Sequence, residues 1–87
     1  MEEALKKLLL TMLKDEYPQI MGIVVSSTDL GTWTNYRVGL GIKYSDLLEL
    51  DSKQQEILKD KVKNLSKYLL DKNEYFERTF FYDPNQF

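Results

Sequence analysis

The sequence predicts a small single-domain α+β fold in the order α-β-β-α-β, a sheet packed against two amphipathic helices. Three observations predict it. Two stretches carry leucines at helical spacing, two adjacent stretches are patterned as strands, and the closing stretch is rich in strand-favouring aromatics. With 87 residues, the chain is expected to form one domain spanning 1–87. Such a chain buries about 60–65% of its unfolded surface, which makes a thin core.

The first helix is expected over about 2–16. Leu5, Leu8, Leu9, Met12 and Leu13 recur at spacings of three and four, which puts them on one face. Glu2–Lys6 and Glu3–Lys7 are i,i+4 pairs with the acid towards the positive end of the dipole. Pro18 ends the helix because it pushes Tyr17 out of the helical region. Leu10 and Tyr17 lie off the stripe and are expected on a neighbouring element.

A β-hairpin is expected next, over about 19–28 and 32–44. "QIMGIVVSS" is almost continuously apolar, as a strand covered on both faces would be. "TWTNYRVGLGIKY" alternates instead: Tyr36, Val38, Leu40, Ile42 and Tyr44 share one side. Trp33, Asn35, Arg37, Gly39, Gly41 and Lys43 share the other. Between them "TDLGT" holds the Asp and Gly of a tight turn, with Gly31 free to take a positive φ.

In "SDLLELDS" the residues Leu47, Leu48 and Leu50 are expected to tuck under the domain edge. The second helix is expected over about 52–72, capped by Asp51 or Ser52, with Ser52 and Gln55 matching a capping box. Leu58, Val62, Leu65 and Leu69 form its inner stripe, widened by Ile57 and Tyr68, and Asn73 offers a left-handed stop. "RTFFYD" then alternates weakly and has high strand propensity, and a third strand steadies a two-stranded sheet. Residues 83–87 read as a tail, free or tucked; a docking arm is the alternative for the whole closing segment.

The composition narrows the chemistry. With neither Cys nor His, the chain has no thiolate, no disulfide and no imidazole base or ligand. A formal net charge of −2 offers a polyanion no overall attraction. "VVSSTDLGT" lacks the Gly-Lys-Ser/Thr ending of a phosphate loop. Asp46, Glu49 and Asp51 lack the Asp/Asn/Gly pattern of a calcium loop, and acids near a helix start explain them. No cofactor, no metal and no enzymatic activity are expected. Nothing in "MEEALKKLLLTMLKDEY" has the form of a leader, and no stretch approaches the ~20 apolar residues of a membrane span. An intracellular, cytoplasmic protein is expected. The excess of Lys over Arg and the six Tyr fit an AT-rich coding source such as a phage genome, which would allow a virion location.

The functional expectation is a protein–protein interaction module, self-association included. Two helices can cover one face of a small sheet, leaving the other open. Trp33, Arg37, Gly39, Gly41, Lys43 and Phe81 are the candidate residues of that face, and Phe87 of the tail. An aromatic lying flat over the two glycines is the structural reading of the same strip. Nucleic-acid binding is the rival, through Lys59, Lys63 and Lys67 at i, i+4, i+8 or through an aromatic sheet platform. Glu56, Asp60 and Asp71 sit within reach of that ridge, which weighs towards a solvated helix face.

Overall fold

A computed structural model describes residues 1–86; the tail residue Phe87 lies outside them. Helix α1 (Glu2–Leu13) leads into strand β1 (Gly22–Asp29), which turns back as β2 (Thr34–Gly41). A single-turn helix α2 (Tyr44–Leu47), helix α3 (Ser52–Ser66), strand β3 (Glu74–Tyr82) and a 3-10 turn at Pro84–Gln86 follow. The sheet order is β1-β2-β3, with β1 antiparallel and β3 parallel to the central β2. A parallel return needs a crossover of a dozen or more residues, and α3 supplies it. The expected α-β-β-α-β domain with a third C-terminal strand is the fold observed.

Both helices lie on one face of the sheet, and the core is the layer between them. Leu5, Leu9 and Leu13 of α1 are wholly buried, as are Leu58 and Val62 of α3. They meet Ile23 of β1, Val38 and Leu40 of β2, and Ile42 just beyond it. Leu10 and Tyr17 pack against this cluster from outside the stripe, as expected. Helical hydrogen bonding runs on past α1, from the amides of Lys14 and Tyr17 to the carbonyls of Leu10 and Leu13. It stops at Pro18, which has no N–H to give.

The hairpin turn forms as its residues predict. Leu30 N–H donates to the Trp33 carbonyl, Gly31 takes φ +92°, and the Asp29 carboxylate accepts from the Gly31 amide. The α3 cap sits one residue earlier than the sequence motif suggested. Asp51 accepts from the Gln54 amide while the Gln54 side chain accepts from the Asp51 amide, a reciprocal box.

Other expectations give way. β1 is an edge strand with one face uncovered, so Val24 is 46% exposed and the apolar run is not buried on both sides. Met12, Ile57 and Tyr68 face solvent, because the helix faces in contact are narrower than the apolar stripes. Leu48 is exposed as well, while Leu47 and Leu50 pack on the core. α3 ends at Ser66 in right-handed geometry, and among the described residues only Gly31 has positive φ, so Asn73 is not a left-handed stop.

Candidate partner-binding surface

The face of the sheet away from the helices is built by alternate residues of three strands. Gly22, Val24, Ser26 and Thr28 of β1 lie across from Gly41, Gly39, Arg37 and Asn35 of β2. On the other side of β2, Arg37, Gly39 and Gly41 face Arg78, Phe80 and Tyr82 of β3. The side chains of Phe80 and Tyr82 close over the glycines. A Cβ at Gly39 would stand 2.6 Å from the Phe80 ring, and one at Gly41 would stand 2.8 Å from the Tyr82 hydroxyl oxygen. The glycine strip is therefore roofed by aromatics and buried, rather than bare.

A β-bulge sets up the charged end of this face. The register shifts between Tyr36 and Arg37, so one residue of β3, Glu77, is left over. The extra residue lets Glu77 and Arg78 both reach Arg37's side of the sheet. Arg37 donates to the Thr28 hydroxyl at 2.9 Å and lies 3.7 Å from Glu77, which is 3.6 Å from Arg78. The Arg78 guanidinium sits 5.4 Å from the centroid of the Phe80 ring. Phe80 and Tyr82 are tilted against each other with centroids 6.4 Å apart. Burial raises the Tyr82 hydroxyl's pKa above its ordinary value. The outcome is an aromatic slab with a small ion cluster at one end and Val24 alongside.

The candidate residues distribute unevenly over the molecule. Arg37, Gly39 and Gly41 lie on this face, Gly39 and Gly41 beneath the rings. Trp33 stands at the hairpin end, 43% exposed, and Lys43 is exposed beyond the end of β2. Phe81 faces the other way. Its register partner is Leu40, it packs on the core, and the Lys59 ammonium lies 5.5 Å from its ring centroid. The expectation that Phe81 belongs to the open face is corrected to its neighbours Phe80 and Tyr82. Alternation along "RTFFYD" puts Arg78, Phe80 and Tyr82 on one side of the strand, and the register with β2 decides which side that is.

The lysine ridge is reduced in the same way. Lys59 is half-buried on Phe81 and 3.9 Å from Glu56, while Lys63 and Lys67 are exposed. Lys61, off the ridge, bonds Glu16 and ties α3 to the end of α1. Among the described residues no three Asp or Glu converge as a cation site would require, and no helix is long and apolar enough to cross a membrane. A cleft of about 360 Å³ between α2 and the end of β3 is lined by Ile42, Tyr44, Leu47, Phe81, Tyr82 and Asp83, among others. The Asp83 carboxylate there accepts from the Tyr44 amide, so its acid serves to anchor the short helix. No known family, curated protein or solved structure matches the chain.

Proposed function

We propose that the chain is a non-enzymatic protein–protein interaction module that docks a partner through the helix-free face of its sheet. The observation that carries this reading is the half-exposed aromatic slab of Phe80 and Tyr82 over Gly39 and Gly41, on the sheet face away from the helices, flanked by exposed Val24 and the Arg37–Glu77–Arg78 cluster. Rigid aromatics rimmed by charge are what binding anchors are made of, since they bury much area at little entropic cost. Trp33 at the hairpin end extends the surface. The absence of His and Cys from the whole sequence removes imidazole and thiolate chemistry, in line with a binding role.

Nucleic-acid binding has less beneath it, since Lys59 is engaged with Phe81 and only Lys63 and Lys67 remain as a ridge. A phage origin, whether as virion component or inhibitor of a host machine, rests on Lys and Tyr content alone. A cytoplasmic location belongs to the same reading. The test is capture from a native lysate by the wild-type chain, by Val24→Glu and by Trp33→Ala, with folding checked by thermal melting. Both variants are expected to melt close to wild type and to lose the captured protein. Equal capture by all three chains would remove the open face from the account.

A further inference from the structure

The two edges of the sheet are unlike. Thr34 and Ile42 donate their amides to β3, so the even-numbered residues of β2 point to β3 and the odd ones to β1. Across from the odd ones stand Gly22, Val24, Ser26 and Thr28. The backbone N–H and C=O groups of Ile23, Val25 and Ser27 consequently point away from the sheet. No described backbone bond outside the β1–β2 ladder involves them. From Gly22 to Thr28 the strand carries no charge and no proline, so it lacks the devices that blunt an edge. β3, the other edge, has them: the bulge and three charges, Glu74, Glu77 and Arg78.

Beside the β1 edge, α1 offers a groove. Leu10, Leu13, Lys14, Ile20, Met21 and Ile23 enclose about 250 Å³ between helix and strand, with Met21 54% exposed. The same flank of α1 continues through Lys7, Lys6 and Glu3 in a shallower hollow that shares Leu10. Lys6, Lys7 and Lys14 outnumber Glu3 and Glu2, the latter accepting from the Ser27 hydroxyl at 2.6 Å, so this flank is net basic in a chain of net charge −2.

We propose that β1 takes up an extended acidic peptide segment of a partner protein by strand addition, within the interaction role argued above and resting on it. Main-chain bonds to Ile23, Val25 and Ser27 would supply affinity, and the groove would read alternate side chains. Lys7 and Lys14 are about 10 Å apart along a helix rising 1.5 Å per residue. Successive residues on one face of a strand are about 6.6 Å apart. An apolar residue seated against Leu10 and Ile23, with acids two positions before and after it, sets those acids about 13 Å apart, a span that the long, flexible side chains of Lys7 and Lys14 can reach. The recognised pattern is acidic-x-apolar-x-acidic.

The test pans a displayed library of random 12-mers on the full chain at low salt. The enriched peptides are then made synthetically and their binding sites mapped by amide exchange. Enrichment of the acidic-x-apolar-x-acidic pattern is expected, with slowed exchange at Ile23, Val25 and Ser27. Lys7→Glu with Lys14→Glu should weaken binding by about tenfold or more, since two attractions become repulsions at surface sites that cannot unfold the chain. Val25→Pro, which deletes an outward N–H at an edge that tolerates proline, should abolish binding, with folding confirmed separately.

Enriched peptides without acids, or undiminished binding by the lysine variant, would overturn the proposal. Failure to enrich any peptide would overturn it too, leaving the interaction role to the lysate capture, which needs no peptide. Protection centred on Phe80 and Tyr82 would move the peptide to the open face, sinking the edge and keeping the wider reading. Protection of Ile23, Val25 and Ser27 by concentrating the chain alone would give the edge to a second copy instead.

Discussion

A methyl group added at Gly39 would meet the Phe80 ring at 2.6 Å, closer than real Cβ atoms come. At Gly41 the obstacles are the Tyr82 hydroxyl oxygen at 2.8 Å and the Gly22 carbonyl oxygen at 3.2 Å. Neither glycine has positive φ, so what each supplies is room above the strand rather than backbone freedom. Gly39→Ala should therefore destabilise by about 1–3 kcal/mol, the range for overpacking. Truncating the ring should remove the clash, so a double-mutant cycle with Phe80→Ala is expected to show strong positive coupling. Additive effects in denaturant melts would mean that the ring does not rest on the glycine. Glycine alternation was plain in the sequence, and so was the aromatic alternation of "RTFFY". Their meeting was not, because one bulged residue at Glu77 decides which aromatic lies beside which glycine.

At the scale of elements, the start of β3 is tied to β2 by side chains as well as by the ladder. Tyr36 donates its hydroxyl to one Glu74 oxygen at 2.7 Å, and the other oxygen accepts from the Asp71 amide at 2.9 Å. Burial first, and then the Glu74 carboxylate, push the Tyr36 hydroxyl's pKa up to about 12. The Asp71 amide first, and then Tyr36, hold the Glu74 carboxyl below its ordinary value. A group with a raised folded pKa stabilises fully below its unfolded value, near 10 for Tyr36. That contribution is lost as the pH climbs towards 12. For Glu74 the contribution is present above the ordinary carboxylate pKa and lost as the pH falls through the lowered folded value. Tyr36→Phe should cost about 1–2 kcal/mol at neutral pH and flatten the alkaline fall in melting temperature between pH 10 and 12. An unchanged alkaline fall would mean that other tyrosines govern it.

Legibility at this scale followed local physics. The helices, the Gly31 turn and the third strand could be read from periodicity and turn chemistry. Exposed Met12, Ile57 and Tyr68 could not, because a stripe reports what can be buried and only the sheet's width decides what is. Val24 misled for a related reason: an apolar run looks alike in a central strand and in an edge strand with an open face.

The described residues form a two-layer structure in which both long helices pack on one face of the sheet. Helices α1 and α3 close the core on one side, while β1, β2 and β3 turn aromatics, Val24 and a small ion cluster outwards on the other. The surface is also asymmetric along its edges, charged and bulged in β3 but uncharged in β1 from Gly22 to Thr28. In the proposed role a partner sits on the sheet side of this molecule. Amide exchange on the chain, free and then bound to the protein it captures, locates that partner. Slowed exchange is expected across β1 and β3 together with the hairpin at Trp33, and unchanged exchange around Lys63, Lys67 and Tyr68. Protection confined to the exposed side of α3 would contradict that placement.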